Sequence, residues 1–423
     1  MTIDNSSTGE VAHALSALPM ARRDLFRSLI GGMTAFATAS FPALARSQSF
    51  EQWRARYRPR ALKRGISPAV YDQAMAIKPD TSVYALKRKQ PEFKEALWQY
   101  LNRRVSEWRI TLGQQRVREH ADLLARIERD YGVDPYILVA LWGVESSFGN
   151  LIASRSYMRP VIPALAALAW GEPRRRRYWE QELLNALVIV QRGWAKPDEM
   201  IGSWAGAMGH TQWMPEVWLN MGVDYDRDGR IFPFGPPDDA LAGAARYLTV
   251  RGHYRRGEAW GYEVRLPSSA KRLAGKTYRS YAQWEKLGVK RADGQPFPRP
   301  GDKARLKIPV AGGPAFLLGR NFRAVYSFNP AFSYTLAIVY LADRIRGMGP
   351  FVQQFPGGER TLTLAELQEI QRRLTALGFD TGGVDGRVGS GTMRAVAAYQ
   401  RKVGMKPDGY AGLKLLARLR QDT

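Results

Sequence analysis

The chain has 423 residues, of which 45% are hydrophobic and 24% charged, ordinary figures for a globular protein that leave no reason to expect disorder. That length gives room for two or three domains, each large enough to bury a core. Lys and Arg total 63 against 39 for Asp and Glu, a formal net charge of +24, which steers a protein toward polyanions: nucleic acid, anionic membrane or anionic wall polymer. There is no cysteine, so disulfides, thiolate metal sites, cysteine nucleophiles and a lipid anchor on an N-terminal cysteine are all excluded.

Residues 1–45 read as an export leader. Arg22-Arg23-Asp24-Leu25-Phe26-Arg27 precedes an apolar run from Ser28 to Leu44, closed by Ala43-Leu44-Ala45 in an A-x-A pattern. The paired arginines point to the twin-arginine route, although Leu25-Phe26 stands where that pattern usually has Phe-Leu. Gly31, Gly32 and Pro42 interrupt the run, which makes it marginal for spanning a bilayer. The expectation is cleavage after Ala45, no stable membrane anchor afterwards, and a periplasmic location.

From Phe50 to about Ala125 the chain reads as helical, with Leu97, Leu101, Val105 and Trp108 at helical spacing. Asp134-Pro135 is a helix start, and the segment that follows, Tyr136 to Ser147, is apolar nearly all round and therefore expected to be buried. Ile201 to Val217 is rich in Gly, Trp and Met, Asp224 to Asp239 is a loop dense in Asp, Gly and Pro, and Ala240 to Leu248 resumes a helix. Within 265–320, Leu306, Ile308 and Val310 alternate and Ala315 to Leu318 forms a second apolar run, the pattern of a small strand-containing insert. Helix returns over Ser333 to Ile345, and Pro356-Gly357-Gly358 marks a linker, placed at 353–360. In 361–423, Thr363-Leu364-Ala365-Glu366 is a capping box opening a helix with Leu367, Ile370, Leu374 and Leu377 on one face. Gly378 ends that helix, and a Gly- and Asp-rich turn leads to another near Thr392 to Gln400.

The run Trp142-Gly143-Val144-Glu145-Ser146-Ser147-Phe148-Gly149 places one acid at the end of an apolar helix. Burial beside Trp142 and Phe148 would disfavour the charged form and keep Glu145 protonated near neutral pH, as a general acid must be. A plain helix-end glutamate in solvent or in an ion pair is the competing reading. A second run, Ser203-Trp204-Ala205-Gly206-Ala207-Met208-Gly209-His210-Thr211-Gln212-Trp213-Met214-Pro215, combines flat aromatic faces suited to sugar rings with an amide that both donates and accepts. From composition alone it is equally a tightly packed helix junction.

Together these runs resemble the lytic murein transglycosylases, specifically the membrane-bound lytic transglycosylase B family, over about residues 50–350. The glutamate motif, the Gly-Ala-Met-Gly-x-x-Gln-aromatic-Met-Pro motif and a later Asn-x-x-x-x-Tyr occur in the family's order. The resemblance implies a mainly α fold: a lysozyme-like catalytic domain with a small β-containing insert, placed at 46–352. It matches Glu145 to the catalytic acid/base, and Ser203 and Gln212 to glycan-contacting positions. Arg174, Arg175 and Tyr178 match a basic-aromatic stretch beside the cleft, and Asn329 and Tyr334 a late pair that closes the site. The family usually has tyrosine before that asparagine, and Phe328 here lacks its hydroxyl. His210 and Trp213 also differ from the family's common choices. From Leu367-Gln368 through Asp385-Gly386 to Asp408-Gly409, the last segment resembles a peptidoglycan-binding domain of three helices; the turn glycines and core leucines that carry the match are structural in kind.

Asp224-Tyr225-Asp226-Arg227-Asp228-Gly229-Arg230 begins like an EF-hand loop, but its twelfth position is Gly235 rather than glutamate. The family carries a longer variant closed by a later aspartate, which Asp239 fits. The expectation is a structural Ca2+ held by Asp224, Asp226, Asp228, Arg230 and Asp239, with an Asp-Gly turn as the alternative and no cofactor for catalysis. The resemblance implies cleavage of the MurNAc–GlcNAc β-1,4 bond of peptidoglycan with a 1,6-anhydro product, and Glu145 as sole acid/base. A muramidase hydrolysing the same bond and a non-catalytic wall-binding scaffold remain open. Peptidoglycan is the expected partner of a monomer, with room for cell-wall synthesis or division proteins, and the leader argues against nucleic acid.

Overall fold

The computed structural model describes residues 48–88, 95–152, 154, 158–275 and 277–422; the expected leader lies outside them. Short helices span Phe50–Lys63, Pro68–Ala74, Ser82–Arg88, Leu97–Arg104, Glu107–Glu119 and Ala121–Tyr131. The apolar spacing of Leu97, Leu101, Val105 and Trp108 is therefore not one helix. Val105 ends the first, and the Ser106 hydroxyl accepts from Arg109 N to cap the next. A β-configured Ser cap starts a new helix while the apolar stripe carries on across the break.

The helix Pro135–Ser146 runs through the core. Asp134 caps it, its carboxylate accepting from Tyr136 N at 2.9 Å, and residues 137–144 are all buried. It packs against Glu107–Glu119 and Phe332–Arg346. Val161–Gly171 and Arg176–Gln191 form a second packed pair. A two-residue antiparallel ribbon joins β1 (Arg159–Pro160) to β2 (Ile201–Gly202). After Pro215–Met221 and Asp238–Val250 comes the insert.

The insert is an antiparallel sheet of β3 (Gly261–Arg265), β4 (Tyr278–Ser280), β5 (Lys290–Arg291), β6 (Lys303–Lys307) and β7 (Ala315–Leu318), in the order β4-β6-β7-β3-β5. Along β6 only Ala304 and Leu306 point inward, as period-2 geometry dictates. Ile308 and Val310, expected in the same strand, lie beyond its end. The sheet covers Val264, Tyr281, Trp284, Phe297 and Leu317, with the Tyr281 and Phe297 rings stacked at 4.6 Å.

The C-terminal segment has helices Leu364–Ala376, Ser390–Lys402 and Leu413–Asp422 around Leu367, Ile370, Leu374, Val396, Tyr399 and Leu416. The capping box is present: Thr363 Oγ1 accepts from Glu366 N, and Glu366 Oε2 accepts from Thr363 N at 2.8 Å. Two buried glutamines hold the Asp-Gly turns. Gln371 accepts from Gly386 N at 2.7 Å and donates to Asp385 at 2.9 Å. Gln400 accepts from Gly409 N at 2.8 Å and donates to Asp408 at 2.9 Å. The connection before this segment is packed. Glu263 accepts from Val352 N and Gln353 N at 2.7 and 2.8 Å, and Asn102 donates to Glu359 O and Tyr410 Oη and accepts from Thr361 Oγ1. Arg387 lies over the Trp108 ring, 4.3 Å from its centre.

Candidate active site

Glu145 is half-buried at the C-terminal end of a helix whose neighbouring positions are buried. The chain leaves that helix through Ser147 (φ 52°) and Phe148 (φ 58°), two successive non-glycine residues in the left-handed region. Such conformations cost about 1 kcal/mol or more each and persist only where packing over-determines them. Here the Phe148 ring packs on Trp142 at 5.8 Å and on Trp108 at 6.5 Å. Gly143 leaves room for it, since a Cβ there would strike the Phe148 ring. From the other side Arg109 Nε donates to Gly143 O at 3.1 Å. The glutamate is thus fixed by its surroundings.

The Gln212 turn is built beside β2. Ser203 N donates to Ala207 O at 2.8 Å and Ala207 N to Ser203 Oγ at 3.1 Å. Met208 and Trp213 exchange two backbone bonds of 2.8 Å. Gln212 has φ 52°, and its Nε2 donates to Gly209 O at 3.0 Å. Its Oε1 accepts from no protein group among the described residues. Two bonds tie this turn to the helix end: Ser146 Oγ donates to His210 O at 2.7 Å, and Trp142 Nε1 to His210 Nδ1 at 2.9 Å. The third party is Tyr334, in the first turn of Phe332–Arg346, whose hydroxyl donates to Glu145 Oε1.

The remaining expected residues lie around this centre. Asn329 is the half-buried residue that ends Arg320–Phe328, and its carbonyl accepts from Ala331 N at 2.7 Å. Phe328 is buried against the Tyr247 ring at 5.0 Å. Arg174 is exposed; Arg175 covers Tyr178 at 4.1 Å and Trp179 at 5.1 Å. Trp179 lies 6.5 Å from Trp204, so the basic-aromatic stretch reaches the Gln212 loop through indoles. Sequence reasoning missed Trp179, Arg109 and the His210 contacts. The partners that tie them to the site, Trp204, Gly143, Trp142 and Gly235, are distant in sequence, and no local pattern announces them.

A family profile described as "Transglycosylase SLT domain" matches residues 49–343, well over half the chain. The chain belongs to the SLT transglycosylase family. A second profile, "Putative peptidoglycan binding domain", matches residues 363–419 of the enzyme. Membrane-bound lytic murein transglycosylase B of Escherichia coli is 28% identical over 273 residues, 63% of this chain and 71% of the relative. The structure of SltB3 from Pseudomonas aeruginosa in complex with NAG-anhNAM-pentapeptide is 40% identical, with TM-score 0.69, covering 88% of this chain and all of that one. Escherichia coli Slt35 in complex with calcium is 25% identical, with TM-score 0.59, covering 69% of this chain and 92% of that one.

In the transglycosylase, Asp224, Asp226 and Asp239 each bring one carboxylate oxygen within 4.8 Å of the others. Asp239 is 3% exposed; burial pushes its carboxyl up to about 6, against bonds from Phe232 N and Tyr225 N. Asp224 Oδ1 is buried with no hydrogen-bond partner. A hard divalent cation would satisfy such a set. The side chains of Asp228 and Arg230 stand outside it: Asp228 Oδ1 accepts from Arg230 N at 2.9 Å, and the Arg230 guanidinium lies 3.9 Å over Phe232. A separate cleft of about 710 Å³ opens at the far end of the Glu145 helix, lined by Asp134, Tyr136, Trp260 and Asp343. Burial pushes Asp343 up to about 7, opposed by a 2.9 Å bond from Trp260 Nε1. Among the described residues no helix is long and apolar enough to cross a membrane.

Proposed function

We propose that this transglycosylase cleaves the MurNAc–GlcNAc β-1,4 bond of peptidoglycan by intramolecular transfer, with Glu145 as its single acid/base. The observation that carries the reading is the meeting of Glu145, the Tyr334 hydroxyl and the Gln212 turn at one helix end. The Glu145 carboxyl hands its proton to the glycosidic oxygen as the MurNAc C1–O bond breaks. The C6 hydroxyl oxygen of the same MurNAc then attacks C1, and its proton passes to the Glu145 carboxylate. The product is 1,6-anhydro-MurNAc; no water is consumed and the acid is regenerated. An intramolecular nucleophile has a large proximity advantage, so a second carboxylate is dispensable. Tyr334 donates to Oε1, which steadies the carboxylate left after proton transfer. SltB3 in complex with NAG-anhNAM-pentapeptide carries an anhydro sugar of this kind, which supports the product class.

Ser203, Gln212, Asn329 and the Arg174–Arg175–Tyr178 stretch would hold the glycan and its acidic peptide stems, since Arg forks suit carboxylates. The C-terminal module would bind the wall, after export of the chain to the periplasm. Asp224, Asp226 and Asp239 would hold a structural Ca2+, with no part in the reaction; the orphaned Asp224 oxygen supports this. Digestion of purified sacculi, read by mass spectrometry, tests the central claim. The expected products are one water lighter than hydrolytic ones, and Glu145→Gln should lower their release by at least ~10²-fold while sacculus binding persists. Products of hydrolytic mass would favour a muramidase, and undiminished release by Glu145→Gln would remove Glu145 from its role. Millimolar Ca2+ should raise the melting temperature of the wild type and not of Asp224→Asn.

A further inference from the structure

We propose that His210, as a neutral imidazole, is a positioning residue that hooks the Glu145 helix to the Gln212 turn, and that its protonation releases the hook; this rests on the catalytic reading above.

The hydrogen bonds themselves fix the imidazole's form. Trp142 Nε1 lies 2.9 Å from His210 Nδ1, and an indole N–H only donates. Nδ1 must therefore be bare. His210 Nε2 lies 2.8 Å from the Gly235 carbonyl oxygen, which only accepts, so Nε2 must carry hydrogen. Both neighbours demand the same neutral tautomer. The backbone of the same residue completes the hook: His210 O accepts from Ser146 Oγ at 2.7 Å, and His210 N donates to Pro233 O at 2.9 Å. Ser146 is next to Glu145 in the chain, and Gln212 follows His210 by two residues. One buried side chain thus joins the catalytic helix, the Gln212 turn and the segment 233–235.

A proton on Nδ1 would set N–H against the Trp142 N–H. That repulsion strains or breaks the Trp142 bond, and Gly149 already lies against the Cε1–Nδ1 edge of the ring, so closely that a Cβ there would sit 2.8 Å from the imidazole. The charged groups nearby also oppose a cation. Arg116, from Glu107–Glu119, lies 5.8 Å from the Trp142 ring centre, and the His120 ring is 5.5 Å from it. Burial first, then His120 and Arg116, hold His210 below its ordinary value, while the Gly235 and Phe234 carbonyls pull the other way. Asp238 acts on His120.

Glu145 must start protonated, so acid does not disable it. An acid limb in turnover therefore needs another group, and His210 supplies one. Release of anhydro-muropeptides from sacculi should fall tenfold per pH unit below a midpoint lower than that of an ordinary histidine, with kcat carrying the loss. His210→Asn, which keeps an acceptor for Trp142 but no titrating proton, should keep kcat within about fivefold of wild type at pH 7 and lose the acid limb. His210→Ala should lose at least ~10-fold in kcat with KM unchanged. His120→Gln should keep the limb. A limb that persists unchanged in folded His210→Asn, or that vanishes in His120→Gln, overturns the proposal. Nitrogen NMR of the ¹⁵N-histidine wild type is independent of activity and of any variant's folding. It should show His210 Nδ1 bare and Nε2 protonated at pH 7; the other tautomer or a cation at that pH overturns it. Wild type that releases no anhydro-muropeptides at any pH would sink the catalytic reading, and the NMR result would still decide the hook.

Discussion

Three glutamines bonded to glycine-containing turns behave in two ways, two reaching the turn from a helix and one lying within it. Gln371 and Gln400, in the wall-binding module, are 2% and 3% exposed and spend both ends of the amide on Asp-Gly turns. Gln212, in the catalytic lobe, spends its Nε2 on Gly209 O and leaves its carbonyl oxygen available, on a backbone held at φ 52°. A polar side chain whose capacity is consumed internally serves the fold, because leaving it unsatisfied costs stability. One held at positive φ with an acceptor to spare can serve a ligand, and the glycan contact proposed for Gln212 rests on that. The conspicuous motif of the C-terminal module is of the first kind, and that of the catalytic lobe is of the second.

The comparison can be broken experimentally. Gln212→Ala should lower kcat by about 10²-fold, the scale of losing one transition-state contact, with the melting temperature nearly unchanged; a destabilised protein with normal kcat would place Gln212 with the other two. Gln371→Ala should do the reverse. Stranding Gly386 N costs about 1–3 kcal/mol, so the module should melt early and sacculus binding should weaken, while release from soluble glycan fragments continues. Tyr334→Phe removes a donor to a carboxylate and should cost about tenfold in kcat, with folding intact by calorimetry. The smallest effect belongs to Asp343, at the opposite end of the catalytic helix. Its carboxyl keeps its proton up to about 7 in the fold, but ionises near 3.9 when unfolded. Ionisation therefore opposes folding, and stability falls as pH rises from about 4 to about 7. Asp343→Asn should gain stability at pH 8 and nothing at pH 4 in denaturant titrations. An equal gain at both would put the cause in packing.

Much of the fold is legible locally. Asp134-Pro135 and Thr363…Glu366 announce helix starts because the capping partners lie within three residues. The break at Val105–Ser106 is hidden by an apolar stripe that continues through it, and β6 reads too long because Ile308 and Val310 keep the alternation after pairing stops. At the site, Glu145 and Gln212 stand out through their motifs. The Tyr334 bond to Glu145 spans 189 residues, and only the family resemblance points to it. In the sequence His210 is a neutral departure from the usual pattern, since its meaning lies in Trp142 and Gly235, which no spacing connects to it.

Asn102 clamps Glu359, Thr361 and Tyr410, and Arg387 lies over Trp108. A swinging tether would let an anchored enzyme sample many strands around its point of attachment. A module fastened in this way instead acts as a set square: once it grips the wall, the direction and offset of the blade are already chosen. Freeing the clamp would widen the reach of each anchored molecule and blur where along the strand it cuts.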